Sequence, residues 1–265
     1  MTYEPPTLDD FREIRRLLPV AAAVLFVAAL AFPMWRIAVR AVQYPDTVLH
    51  LRVYAYPRIA GDYMEMANLN KYIGYYYPDP VYLQPNYEPH PYAVDVPEWS
   101  FGWLAFFAVA ACGAFVAIAP DVRRLKKGLT YQLIGTISVF VVMLADIQYR
   151  LWQTGHHLDP DAPVMGVDGF TPPLWGRYEV ANITSYSRFG LGAWLSIVAV
   201  GLLVVAFRYR DADTTVREAV ASGRERIGGI GDRVGVGGRL GGGEPDDSGD
   251  QGDPGETPTT GRGGD

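Results

Sequence analysis

Four long apolar runs, separated by polar segments, dominate the pattern of the chain. They lie at residues 17–35, 101–120, 129–145 and 189–207, and none of them contains a charged residue. Each is close to the ~20 residues that cross a bilayer core of ~30 Å as an α-helix. Because the runs are apolar on every side, they fit membrane spans better than the amphipathic helices of a soluble protein. The pattern predicts an all-α membrane protein built on a four-transmembrane-helix bundle.

The polar segments complete the predicted organisation. We expect spans at residues 17–39, 101–120, 129–152 and 189–209, with a short loop at 121–128 between the second and the third. Residues 40–100 and 153–188 form two long connections, which are expected to build a small cap. Residues 1–16 precede the first span, and residues 210–240 and 241–265 follow the last one as a juxtamembrane segment and a tail.

Three clusters of basic residues predict the orientation of the spans, since the cytoplasmic ends of spans carry an excess of Lys and Arg. The rule places both termini in the cytoplasm and both long connections outside, in a multi-pass protein of the cytoplasmic membrane. The clusters precede the first span, fill the short loop and follow the last span: Arg12, Arg15, Arg16; Arg123, Arg124, Lys126, Lys127; Arg208, Arg210, Arg217, Arg224, Arg226.

The first span has a second interpretation. Its three preceding arginines, apolar core and small residues at 29–31 also resemble a cleaved signal peptide. Pro33, Trp35 and Arg36 favour an uncleaved span instead, because Trp anchors at the membrane interface and Arg extends its charge toward water there. Either interpretation leaves both long connections on the outer side.

The first long connection contains the clearest local signals of the cap. Apolar and polar residues alternate over residues 49–56, which predicts a half-buried strand. Residues 62–73 predict a short helix that begins after Asp62 and ends at Gly74. Eleven of the 17 tyrosines lie in this connection, and both lipid-interface anchoring and ordinary packing account for them.

Composition excludes several classes of protein. The net charge of −6 excludes a nucleic-acid binder with a broad basic face. The single cysteine, Cys112, excludes a disulfide framework, a Cys-rich zinc site and an iron–sulfur cluster. Residues 241–265 hold seven acids, one arginine and many glycines, so they are predicted to be a disordered tail.

The four histidines, His50, His90, His156 and His157, all lie in the predicted outer connections. No haem is expected, because a bis-His haem between helices needs imidazoles on facing spans. Met64 and Met66 lie in the same connection as His50, and imidazole with thioether suits copper, Cu(I) above all. The alternative is that these methionines fill gaps in a core and the histidines decorate a polar surface.

A dense polar run at the outer end of the third span supplies the other candidate residues. Asp146 and Arg150 are four residues apart on a helix and are expected to pair, with Tyr149 beside them as a cofactor-contacting group. A neutralised interface pair is the alternative. Further on, His156, with His157 next to it, and Asp159 are interpreted as a metal ligand and its orienting partner, or as caps of a turn before Pro160.

The chain resembles a small family of polytopic membrane proteins encoded in nitrous oxide reductase gene clusters, the NosB-like family. The resemblance covers about residues 33–205 and excludes the tail. Two positions depart from the family pattern: Lys71 replaces a histidine and His157 replaces an asparagine. The matching segments are residues 33–37 (PMWRI), 41–45 (AVQYP), 68–74 (NLNKYIG), 155–160 (GHHLDP), 172–176 (PPLWG) and 182–188 (NITSYSR).

The resemblance implies an accessory role in nitrous oxide respiration rather than a defined reaction. Since the chain contains no catalytic motif, we expect a non-enzymatic protein that supports copper-site maturation or docking of the reductase on the outer face. The expected partners are the lipid bilayer, the reductase and its copper-maturation proteins. Expected copper ligands are His156 and Asp159, then His157, His50, Met64 and Met66. Alternatives are a quinol-interacting electron-supply component using Asp146, Tyr149 and His156, and a cofactor-free structural tetraspan protein.

Overall fold

The computed structural model describes residues 13–81, 90–164 and 166–211. Residues 1–12 and 212–265 lie outside the described residues. The predicted tail at residues 241–265, and the predicted juxtamembrane segment from residue 212 onward, therefore lie outside them as well. The elements are α1 (Ile14–Ala29), β1 (Trp35–Ala41), β2 (Leu49–Val53), β3 (Ile59–Gly61), α2 (Tyr63–Tyr72), a 3-10 helix (Pro97–Phe101), α3 (Gly102–Ala117), α4 (Val122–His156), β4 (Gly176–Val180), β5 (Ile183–Phe189) and α5 (Leu191–Arg208).

The helix α1 occupies the centre of the helical bundle and packs against α3 and α5. Its Ala22, Phe26 and Ala29 are fully buried. The Phe26 ring stacks on Phe140 of α4 at 5.4 Å between centroids and meets Phe106 of α3 edge-on at 6.5 Å. Small residues on α1 let its neighbours approach closely, and the aromatic rings fill the remaining space.

Three helical stretches within the described residues are long and apolar enough to cross a membrane: Pro97–Ala117, Val122–His156 and Leu191–Arg208. These include the second, third and fourth apolar runs of the sequence. With 16 residues, α1 is shorter than the ~20 residues that a full crossing requires. The first of the four expected spans is therefore not among the three.

The first helix ends earlier than the predicted span at residues 17–39 does. The helix ends at Ala29, well before the expected limit at residue 39, and the chain resumes at Trp35 as a β-strand. Pro33 has no N–H to continue a helix, so the chain turns there. In β1 the exposed Arg36 alternates with the buried Val39 and Ala41, which is the period of a strand rather than of a span.

The predicted loop at residues 121–128 is also wrong, because α4 already begins at Val122. The basic cluster that follows therefore lies in the first turns of a helix, with Arg124 paired to Asp121 at 3.2 Å. The 35 residues of α4 make a helix of about 50 Å, since each residue adds ~1.5 Å. It exceeds the ~30 Å of a bilayer core.

The expectation of an all-α protein is corrected by a five-stranded antiparallel sheet in the order β3-β2-β1-β5-β4. The strand at residues 49–53 and the helix at residues 63–72 are confirmed. The sequence does not predict the central strand β1 because its longest pairing is with β5, which is far away in sequence and leaves no local signal. The inner face of the sheet packs on α2 through residues that include Val39, Leu51, Met66 and Leu69.

Candidate functional site

The two long connections fold together into one structure, which we call the cap and define as the described residues between 30 and 101 and between 157 and 190. Two glycines, Gly74 in the cap and Gly155 at the end of α4, provide close backbone contacts that hold it together. The Gly74 carbonyl accepts a hydrogen bond from the Asp159 N–H at 2.9 Å, and the Gly155 carbonyl accepts one from Phe170 at 3.0 Å. A Cβ on Gly155 would lie 1.8 Å from the Phe170 carbonyl oxygen, so only glycine fits there.

Gly74 is required for a second reason as well. Its φ of +74° lies in the left-handed region, which disfavours residues with a Cβ. A Cβ at this position would lie 2.7 Å from the Asp159 carbonyl oxygen. The turn after α2 and the turn after α4 therefore meet backbone to backbone.

Polar contacts join the two connections to each other at the base of the cap, next to the helical bundle. The indole Nε1 of Trp35 donates to the Leu174 carbonyl at 2.8 Å, and the Ser187 hydroxyl donates to the same oxygen at 3.1 Å. The Gly190 N–H donates to the Met34 carbonyl at 2.7 Å, where β5 passes into α5. The cap is tied to α5 itself by the Gly192 N–H, which donates to the Pro33 carbonyl at 3.0 Å.

A cavity of about 150 Å³ lies beneath the inner face of the sheet. It is bounded by α2, by the segment around Phe170 and by Ile147 and Leu151 of α4. Three tyrosines line it: Tyr75, Tyr77 and Tyr178. An apolar cavity of roughly this volume holds one benzene-sized ring. The cap therefore contains an apolar space at the point where α4 enters it.

The phenols of this cavity, which Asn70, Ser185 and Ser187 also line, are held in their neutral form. Burial, and then the neighbouring tyrosines, raise the pKa of Tyr77 well above its usual value, and the Asn70 side chain only partly offsets this. Burial also raises the pKa of Tyr75 and of Tyr178. Asn70 is thus the polar side chain beside the buried Tyr77 hydroxyl, but within the described residues neither it nor any other group meets this hydroxyl in hydrogen-bonding geometry. This orphaned group is suited to a ligand that supplies an acceptor.

Each of the two leading metal candidates forms a hydrogen bond within the protein. The Nδ1 of His156 lies 2.8 Å from the Trp152 carbonyl oxygen, which makes it a hydrogen-bond donor to its own helix. The Asp159 carboxylate accepts a hydrogen bond from the Asp161 N–H at 2.9 Å. This contact is the turn cap that was the alternative interpretation of Asp159.

His157 belongs to a stack of rings, which we call the ring cluster and define as Tyr76, His90, Tyr92 and His157. The rings of Tyr76 and His90 stack at 3.6 Å between centroids, and Tyr92 lies 5.9 Å from His90 and 5.7 Å from His157. The Tyr76 hydroxyl lies 3.4 Å from the Asp159 carboxylate. Partial burial, and then this carboxylate, raise the pKa of Tyr76. His157 itself is exposed.

The second set of copper candidates is not brought together. His50 lies on the outer face of the sheet, whereas Met66 is buried in the core beneath it. Met64 is exposed on α2, so the two thioethers of the Met-x-Met motif have different surroundings. Within the described parts of the chain, no group of three or more His, Cys, Asp or Glu residues is placed to hold a metal ion.

The expected pair of Asp146 and Arg150 is replaced by a different ion pair. The Arg150 guanidinium binds the Glu98 carboxylate and also donates to the Gln153 side chain at 2.9 Å. Tyr149 is exposed, and its ring stacks on Trp152 at 6.0 Å. Arg150 thus ties α4 to the 3-10 helix at the start of α3, a contact that sequence spacing alone did not indicate.

Sequence reasoning missed the tyrosines of the cavity. Tyr75 and Tyr77 are two residues apart, and this spacing places alternate side chains of an extended segment on one side. The sequence therefore contains this signal, but the alternatives of lipid-interface anchoring and ordinary packing do not single out a cavity. Comparison of the chain with protein-family models, curated proteins and solved structures finds no match.

Proposed function

We propose that the protein is an accessory integral membrane protein of nitrous oxide respiration, with its cap on the outer face of the cell membrane, where it docks the nitrous oxide reductase. The helices that are long and apolar enough to cross a membrane support the membrane location. The observation that carries the proposal is the convergence of the segments on which the family resemblance rests.

These segments are scattered over the sequence and meet in the cap. The segment 68–74 contacts 155–160 through Gly74 and Asp159. The segment 33–37 contacts 172–176 through Trp35 and Leu174, and Ser187 joins them from 182–188. The segments on which the resemblance rests thus contact one another in the cap, and the cap is the part of the protein that we assign to partner binding.

We assign the docking surface to the ring cluster. Tyr is enriched at protein interfaces because it combines a large rigid contact area with a hydrogen-bonding group. We prefer docking to copper binding because the candidate ligands His50, Met64 and Met66 do not converge: His50 lies on the outer face of the sheet, Met66 is buried beneath it and Met64 is exposed on α2.

The docking proposal is tested by measuring binding of the purified reductase to the full-length protein in nanodiscs. The double variant Tyr92→Ala/His157→Ala is expected to weaken binding about tenfold or more, as truncation of an interface hot spot does. His50→Ala, an imidazole on the outer face of the sheet, is the matched control. Wild-type binding by the double variant would contradict the assignment of this surface.

Deletion of the gene separates docking for copper maturation from the alternatives. A reductase that accumulates with little copper supports a role in maturation. A copper-replete reductase that no longer receives electrons from quinol supports an electron-supply role instead. A copper-replete reductase with normal electron delivery would contradict both.

The cavity favours the electron-supply role as the second candidate function. A quinone ring matches the volume of the cavity, and its carbonyl oxygen would accept a hydrogen bond from the orphaned Tyr77 hydroxyl. Binding of a short-tailed benzoquinone to the purified protein is expected to weaken about three- to tenfold in Tyr77→Phe, which loses one hydrogen bond. Tyr72→Phe, at an exposed position on α2, is the control. Equal binding by both variants would contradict this candidate.

A further inference from the structure

The outer face of the sheet carries a row of arginines. Arg36 of β1 stands directly opposite Arg52 of β2 on one side and Arg188 of β5 on the other. Residues paired in this way point to the same face of a sheet, with Cβ atoms about 4.5–5.5 Å apart. All three are exposed. Three guanidinium groups therefore line up across three adjacent strands.

This arrangement is unfavourable for the protein alone, because like charges directly opposite on neighbouring strands repel each other. Among the described residues, none of the three side chains forms an ion pair or a hydrogen bond. Arg177 on the same face differs, since it pairs with Glu179 at 3.2 Å and lies over the Tyr186 ring. The row is thus a concentration of positive charge that lacks its counter-charge.

The position of the row indicates the source of that counter-charge. Arg188 lies just before the start of α5 at Leu191, and Arg36 follows the turn after α1. Rings of Trp175, Phe189 and Trp194 pack edge to face at 5.0–6.5 Å, and both tryptophans are about half exposed. Tryptophans at the end of an apolar helix are typical of the depth of lipid headgroups.

We propose that Arg36, Arg52 and Arg188 form a binding site for the phosphate of an anionic phospholipid. A guanidinium group donates paired N–H groups to phosphate oxygens, and its planar geometry matches them better than an ammonium group does. The lipid would neutralise the row, with its acyl chains beside the tryptophans. The site is separate from the ring cluster and from the cavity, and it does not depend on the proposed function.

The site is tested by native mass spectrometry of the full-length protein titrated with phosphatidylglycerol or phosphatidylcholine. The wild-type protein is expected to bind the anionic lipid about tenfold more tightly. The triple variant Arg36→Gln/Arg52→Gln/Arg188→Gln is expected to lose this preference. Arg177→Gln, which removes a paired arginine from the same face, is expected to keep it. No preference in the wild type, or its retention in the triple variant, would overturn the proposal.

Two further measurements test whether the row has a structural role without lipid and whether it binds a free anion instead. Removal of like charges in register is expected to leave the unfolding temperature of the triple variant equal to or above that of the wild type. A lower temperature would mean that the row stabilises the protein without lipid, against the proposal. Millimolar inorganic phosphate is expected to leave phosphatidylglycerol bound, whereas displacement would assign the site to a free anion.

Discussion

At the scale of single residues, glycines determine how the cap closes. At Gly74 in the cap and at Gly155 at the end of α4, one backbone rests directly on another, and a Cβ would lie 2.7 and 1.8 Å from the facing carbonyl oxygen. Sequence patterns indicated that Gly74 ends a helix, but they gave no sign that it touches Asp159. The role of His156 was equally hidden, because its hydrogen bond to Trp152 depends on how the end of α4 is built.

The substitution Gly155→Ala tests the closure of the cap. Its Cβ would overlap the Phe170 carbonyl, so we expect a loss of about 1–3 kcal/mol of stability, seen as a lower unfolding temperature in detergent. Gly135→Ala in the same helix is the control, because its Cβ meets nothing within 4 Å. The control is expected to be neutral or to stabilise by up to about 1 kcal/mol. Equal effects of the two substitutions would contradict this account.

The buried tyrosines predict a loss of stability in alkali. In the unfolded chain a phenol ionises near pH ~10, whereas burial raises the pKa of Tyr75, Tyr77 and Tyr178 in the fold. The unfolded state therefore binds fewer protons above this pH. The stabilisation from these groups is complete below pH ~10 and is lost as the pH rises toward the folded values.

Tyr77→Phe removes one of these ionisable groups and the orphaned hydroxyl. We expect little change in unfolding temperature at neutral pH and a shallower alkaline decline, by up to about 1.4 kcal/mol per pH unit. Thermal unfolding across the alkaline range measures both. Tyr72→Phe serves as the control, and the same decline in Tyr77→Phe as in the wild type would refute the prediction.

At the scale of elements, an arginine links the first and second helices of the bundle. The Arg16 guanidinium donates to the carbonyl oxygens of Ala117 and Ala119 at 2.8 and 2.9 Å. These oxygens lie at the end of α3, where carbonyls lack helical partners and carry partial negative charge. The sequence indicates Arg16 only as one of the basic residues that orient the spans. In the structure its side chain is buried and bonds the end of a neighbouring helix.

Replacement of Arg16 by Gln is expected to destabilise the bundle by about 1–3 kcal/mol, because the buried carbonyls lose a charged donor. Arg124→Gln is the control, since Arg124 is exposed and its pair with Asp121 contributes at most about 1 kcal/mol. Thermal unfolding of both variants in the same detergent measures the difference. A larger loss of stability in Arg124→Gln would show that this exposed ion pair contributes more than the hydrogen bonds from Arg16 to the end of α3.

At the scale of the whole molecule, sequence reasoning succeeded where the signal is local. The three apolar stretches, β2 and α2 follow from periodicity within a few turns or residues. The sheet was missed because its central strand, β1, begins inside an apolar run and pairs with residues far along the chain. The charged row of Arg36, Arg52 and Arg188 depends on that long-range register, so no local pattern contained it.

The predicted orientation is tested with single cysteines in a Cys112→Ser background. An impermeant maleimide added to intact cells is expected to label Thr47→Cys, which is exposed between β1 and β2. It is not expected to label Arg124→Cys at the opposite end of the bundle until the cells are lysed. The reverse pattern would place the cap in the cytoplasm and end the docking proposal.

The strand order has a consequence for how the protein is made. The central strand β1 lies between β2 and β5 in the sheet. The ribosome synthesises β2 directly after β1, but it synthesises β5 only after α3 and α4, just before α5. One edge of β1 therefore stays unpaired on the nascent chain while α3 and α4 are synthesised. Unpaired strand edges invite pairing with other chains. Protection of that edge during translation is thus a requirement that this topology places on the cell.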